Sequence, residues 1–217
     1  NPFKGCSSLA QIIVSPDNLA IATIDGVLFS KSDKRLVYYP PSFAQTDYVV
    51  PEGIKAIGAE SFADCNNLIS VTLPNSVTVI GDSAFNCCRN ISSINMAENV
   101  SIIADSAFGG CNHLSSITIP NSVMVLGDSA FQNSGIQTII FEQNSKITSL
   151  NGAFYGCSSL TLIIVPDGVT SLGYQVFYNC SALTSIYIPS SVTNAGTRPF
   201  YNCNNLVIYC ECSENDC

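Results

Sequence analysis

The side chains capable of chemistry are few in kind. The 217-residue sequence holds eleven cysteines, one histidine, and sixteen acidic residues against eight basic ones. A zinc site needs four convergent ligands. Cys210, Cys212 and Cys217 cluster near the end of the sequence, but His113 stands far from them, so no metal site is expected. A hydrolytic triad would have to recruit His113, which sits in a turn position held elsewhere by Asn67, Asn90, Ser159 and Asn205. A surface turn residue is the expectation there. No two glycines lie two apart and no phosphate-loop pattern appears, so no nucleotide cofactor is implied. The carboxylates of Asp64, Asp82, Asp105 and Asp128 recur at nearly equivalent places. Their spacing suits caps at helix starts better than a calcium ladder. A cysteine nucleophile has no base beside it. The chain is expected to be non-enzymatic, with no cofactor.

The cysteines make sense only against the elements that position them. Phe62, Phe85, Phe108, Phe131, Phe154, Phe177 and Phe200 recur with a constant 23-residue spacing. Three residues after all but one of them stands a cysteine: Cys65, Cys88, Cys111, Cys157, Cys180 and Cys203, with Ser134 the exception. Phe3 and Cys6 repeat the pair at the start. A period of that length marks a stacked repeat protein. Equivalent residues in stacked turns keep parallel Cβ vectors about 4.8 Å apart, beyond the roughly 3.8 Å mean of a disulfide. The seven ladder cysteines are therefore expected to be reduced, as small buried apolar residues. Cys87, Cys210, Cys212 and Cys217 lie off the ladder, where a bridge remains open.

Within a unit, alternating pairs such as Val71 and Leu73, or Ile117 and Ile119, predict short strands with one buried face. Pro74, Pro120, Pro166 and Pro189 end them, since proline brings no donor to a continuing ladder. Val77 and Ile80, or Val123 and Leu126, give a second inward contact before a turn glycine: Gly81, Gly127, Gly173, Gly196. Asp82-Ser83-Ala84-Phe85 reads as one helical or 3₁₀ turn. One such unit cannot bury its own apolar face, but stacked units do, with the strands forming a parallel sheet. The expected fold is an α/β repeat solenoid, a single unit over residues 1–217. Between Phe3 and Phe62 lies one repeat plus an insertion. In it the runs Ile24–Phe29 and Leu36–Pro41, separated by Ser30–Arg35, read as a β-hairpin within residues 15–50. Residues 200–217 read as a last partial repeat and cap. After Phe131 one unit is irregular, with Ile139 and Phe141 early and Ile147 and Leu150 late, which predicts a bulge that recovers by Phe154.

Composition narrows the function. Only 11% of residues are charged and the net charge is −8, which disfavours binding to nucleic-acid phosphates or anionic lipid. The longest uninterrupted apolar run, Leu206–Cys210, is far short of the roughly 20 residues of a membrane helix. No signal peptide opens the sequence. The start inside a repeat, without methionine, suggests a piece of something longer. Three Asn-x-Ser sequons, at Asn90, Asn99 and Asn179, matter only if a eukaryote secretes the chain.

The string Leu-x-x-Ile-x-Ile-Pro-x-x-Val-x-x-Ile-Gly-x-x-Ala-Phe-x-x-Cys, which Leu114–Phe131 fits at almost every place, resembles the BspA-like leucine-rich repeat; the Asp25–Phe29 insertion is similar to one that recurs there. The resemblance covers essentially the whole chain. It implies a curved right-handed coil with its sheet on the concave face, from a secreted or surface-exposed protein. Adhesion to host matrix or plasma proteins is implied for several members. Within each strand the residues between the inward pair point to the concave side, because side chains alternate. In the earlier units these are Ser70 and Thr72, Ser93 and Asn95, Ser116 and Thr118. Later they become Thr138 and Ile140, Leu162 and Ile164, Ser185 and Tyr187, a prospective apolar contact site. The expected function is adhesion or ligand binding, to a protein or glycan, through this face. The alternative is a structural spacer that displays another domain. A uniformly hydroxyl-coated sheet would favour the spacer. The competing expectation for the patch is a cover formed by the hairpin, the C-terminal segment or a second copy.

Overall fold

A computed structural model describes residues 3, 5, 6 and 8–211 of the chain. Its fifteen strands are β1 (Ile21–Ile24), β2 (Val27–Ser30), β3 (Arg35–Tyr38), β4 (Asp47–Val49), β5 (Ala56–Ile57), β6 (Ser70–Thr72), β7 (Val79–Ile80), β8 (Ser93–Asn95), β9 (Ile102–Ile103), β10 (Ser116–Ile119), β11 (Val125–Leu126), β12 (Thr138–Phe141), β13 (Leu162–Ile164), β14 (Ser185–Ile188) and β15 (Val207–Cys210). One strand per turn forms the first face, as β4-β6-β8 and then β10-β12-β13-β14-β15, all parallel. The two-residue strands β5, β7, β9 and β11 form a second parallel face, one turn apart. The chain is a parallel β-solenoid with the leucine-rich-repeat character its period implies.

The third side of each turn corrects the expected α/β character. Among the described residues there is no helix, 3₁₀ or otherwise. The reason lies in the backbone. Ser83 and Cys87 both have positive φ, 53° and 59°, and so do Ser106, Ser129, Asp64, Asn133 and Asn179 at equivalent places. Left-handed residues on either side of the phenylalanine confine the segment to single hydrogen-bonded turns, such as the Asn86 amide to the Ser83 carbonyl at 3.0 Å, that do not continue into a helix. The segment also bonds to its neighbours. The amides of Ser83, Phe85 and Cys87 donate to the carbonyls of Asp105, Ala107 and Gly109 in the following turn, at 2.7–2.8 Å. Two of the aspartates serve the same stacking and not helix caps: Asp105 Oδ1 accepts from the amide of Asp128 at 2.7 Å and Asp128 Oδ1 from that of Gly152 at 3.5 Å.

Inside the coil the phenylalanines form a continuous stack, with Phe62 through Phe200 at ring separations of 4.8–5.8 Å. Phe131 and Phe154 stack across the irregular unit at 5.7 Å, so the core keeps its register there. Tyr39 extends the stack, 5.1 Å from Phe62. It stands one full repeat before Phe62, where its different residue type masks the ladder in the sequence. The hairpin is a three-stranded meander. Asp25 and Gly26, at φ 49° and 82°, make a tight turn that splits the run Ile24–Phe29. This pair is a favoured two-residue hairpin turn. β3 then pairs in parallel with β5, so the insertion lengthens the second face and leaves the first uncovered.

Candidate functional site

The ladder cysteines show why a thiol serves where another small apolar residue would not. Each ladder cysteine from Cys65 onward donates to the carbonyl 26 residues earlier, among them Cys88 to Phe62 at 2.8 Å, Cys111 to Phe85 at 3.2 Å, Cys157 to Phe131 at 3.0 Å and Cys180 to Phe154 at 3.2 Å. Cys6, expected to be buried with them, is exposed, having no preceding turn to pack on among the described residues. A buried carbonyl without a donor is costly, and these are satisfied by the next turn. Burial pushes the Cys157 thiol up to about 11 and raises that of Cys111, so both stay protonated donors near neutral pH. Cys6, Cys65, Cys87, Cys88, Cys111, Cys157, Cys180 and Cys203 are all thiols. Cys210 is exposed at the end of β15; Cys212 and Cys217, with any bridge they make, lie outside the described residues.

His113 is exposed, with its Nδ1 2.7 Å from the carbonyl of Arg89. The amides of Asn67 and Asn90 likewise donate to carbonyls 24 residues back, so the histidine is one rung of a stacking row. The sequon amides of Asn90 and Asn99 are spent the same way, on the carbonyls of Asn66 and Asn75. Among the described residues no three His, Cys, Asp or Glu converge to hold a metal ion. No helix there is long and apolar enough to cross a membrane.

The first face carries a cluster of exposed apolar side chains. Ile140, Leu162, Ile164 and Tyr187 are 51%, 40%, 63% and 44% exposed, while their alternates Ile139, Ile163 and Ile186 are buried. Ladder register aligns Leu162 with Ser185 and Val207, and Ile164 with Tyr187 and Tyr209. The irregular unit shapes the surface further. The step from Ile117 to Ile139 falls one short of the repeat period, and the step from Ile139 to Ile163 runs one over. β10 and β12 therefore pair along four residues, but β12 and β13 only at Thr138 and Leu162. Beyond that pair the strands part around a groove of about 690 Å³. Thr138, Ile140, Leu162 and Ile164 line it, and its rim runs from Glu142 to Ser145 on one side and from Pro166 to Gly168 on the other.

Tyr187 lies one strand further on, in a smaller recess shared with Ile164 and Tyr209, its ring stacked on Tyr209 at 4.6 Å. Ser185 aligns with this surface but lines neither hollow. The structure thus brings four of the six expected residues into one groove and sets Tyr187 beside it. Tyr209 and the rim were missed. The signal for Tyr209 was its place one short of a full period after Tyr187, the same offset by which Ile139 follows Ile117.

Short parallel strands, an inner phenylalanine stack and hydrogen bonds joining successive turns define a leucine-rich-repeat solenoid. The sequence matches the BspA type leucine rich repeat region over residues 37–152 and 144–214, in six copies. The chain belongs to that family. No curated protein is significantly similar to it. Among solved structures, a leucine rich cell surface protein of Faecalibacterium prausnitzii is 28% identical, with a TM-score of 0.62 over 100% of this chain and 45% of its own. A leucine-rich repeat protein of Bacteroides capillosus is 30% identical over 57% of this chain and 99% of its own, with a TM-score of 0.51. The pneumococcal vaccine antigen PcpA shares the fold, at 24% identity and a TM-score of 0.73, over 94% of this chain and 51% of its own. The chain spans about half the length of the first and last of these.

Proposed function

We propose that the chain is a ligand-binding module of an extracellular or cell-surface protein and that it binds a protein or glycan through the first face, at the β12–β13 groove and the adjoining tyrosine pair. Host matrix and plasma proteins are the first candidates to test. The observation that carries this reading is the clustering of Ile140, Leu162, Ile164 and Tyr187, each at least 40% exposed, on one sheet face. Isolated exposed apolar residues are ordinary on protein surfaces, whereas contiguous patches mark contact sites. The hairpin, paired on the other sheet, does not cover them. A cell-surface setting is supported by the Faecalibacterium relative, itself described as a cell surface protein. Tyr187 is the proposed anchor, since tyrosine brings apolar area and a polar tip at little entropic cost.

The test pairs Leu162→Asp with Tyr187→Ala and measures binding to immobilised matrix proteins, plasma proteins and glycans. At least a tenfold loss of a demonstrated ligand by the folded double variant is expected. Undiminished binding would remove this face from consideration. The spacer reading draws on the other end of the same face, where Ser70 aligns with Ser93 and Thr72 with Asn95. It predicts no specific ligand at all.

A further inference from the structure

We infer that the occupant of the groove is an extended polypeptide segment that alternates apolar and cationic side chains, an inference that rests on the groove being the binding surface. Two parallel rows on the first face select for it. The apolar row runs across the strands through Ile140 and Ile164 to Tyr187 and Tyr209. Beside it, where the strands end, runs a row of carboxylates: Glu142 and Asp167 on the rim of the large groove, then Asp167 and Glu211 on the rim of the next recess. Among the described residues no lysine, arginine or histidine lines either hollow.

Two of these carboxylates are held in place. Glu142 Oε2 accepts from the amide of Asn121 at 3.0 Å and Glu211 Oε2 from the amide of Ser190 at 3.4 Å. The rows therefore keep their relation from turn to turn. Successive residues of an extended segment point to opposite sides, so one laid along the two rows sets apolar side chains into the groove and lysines or arginines over the rim. An acidic peptide or a sulfated or uronic-acid glycan would meet like charge there, and opposed potentials are what exclude wrong partners.

The experiment uses three ten-residue synthetic peptides: alternating leucine and lysine, alternating leucine and glutamate, and alternating serine and lysine. Binding to the intact chain is followed by fluorescence anisotropy at 50 and 500 mM salt. The leucine–lysine peptide should bind, weakening at high salt because exposed charge pairs are screened. The other two should bind at least tenfold more weakly. Glu142→Gln combined with Asp167→Asn should cost the leucine–lysine peptide at least tenfold while leaving the melting temperature unchanged, since glutamine keeps the acceptor for Asn121. Equal binding of the leucine–glutamate peptide, or indifference to the paired substitution, overturns the inference. If a demonstrated ligand is lost with Leu162→Asp but untouched by Glu142→Gln with Asp167→Asn, the groove reading stands and the cationic segment falls.

Discussion

Phe108→Ala tests the reading of the core at its centre. The ring is fully buried and stacked between Phe85 and Phe131, each 5.3 Å away. Truncating a buried phenylalanine costs about 3–5 kcal/mol. Each aromatic pair adds about 0.5–1.5 kcal/mol beyond its area, so a ring with two such partners belongs at the upper end, about 5 kcal/mol. For a domain of this size that lowers the melting temperature by about 10–20 °C. Phe200→Ala is the internal control. Phe200 is only partly buried, and Phe177, at 5.8 Å, is its stacking partner. Its loss should cost less than half as much. Differential scanning calorimetry of the three proteins separates the cases. A Phe108→Ala protein melting within a degree or two of the parent, or one no worse than Phe200→Ala, would refute the stack as the source of cohesion.

Three other outcomes follow from the same coil. Cys111→Ser should remain more stable than Cys111→Ala in thermal melts, because serine still donates to the Phe85 carbonyl and alanine leaves it unpaired at about 1–3 kcal/mol; alanine equalling serine would dismiss the hydrogen bond. The melting temperature should be level between pH 6 and 8 and fall above about 8.5, where thiols of the unfolded chain ionise while burial keeps Cys157 protonated up to about 11. The unfolded state then loses protons that the folded state retains, at up to about 1.4 kcal/mol per pH unit for each such thiol; a flat profile to pH 10.5 would contradict it. Tyr39→Phe should raise the melting temperature by a few degrees, since the buried Tyr39 hydroxyl finds no partner among the described residues and an orphaned buried hydroxyl costs about 1–3 kcal/mol.

The solenoid was legible because a 23-residue period survives any error in reading one unit. Phe, Cys and the alternating aliphatics each repeat independently, and the structure buries most of each, with Cys6 exposed at one end and Phe200 and Cys203 half-buried at the other. What the sequence obscured was local. Asp82-Ser83-Ala84-Phe85 has the composition of a capped helical turn, and only the left-handed backbone at Ser83 and Cys87 shows otherwise. Such conformations are set by turn-to-turn bonding, which no single repeat contains. Tyr39 was hidden because its ladder place carries a different residue type. At the candidate site, alternation placed Ile140, Leu162, Ile164 and Tyr187 on one surface. The parting of β12 and β13, which makes a flat strip into a groove, arises from a one-residue shift whose direction in space the spacing alone does not give.

That parting also bears on how the coil behaves under load. Each turn holds only the turn before and the turn after, so a chain drawn out by its ends yields by peeling, one turn at a time. Every turn released adds one repeat of slack, at most about 80 Å of extended chain. Most joints on the first face are stitched along three or four residues, whereas the one between β12 and β13 has a single pair. Together with the β8–β10 joint, which shares no ladder pair, it is a seam ready to open from within. A ligand seated across Ile140 and Ile164 touches both sides of that seam, and so would act as a stitch, its hold and the mechanical strength of the coil rising together.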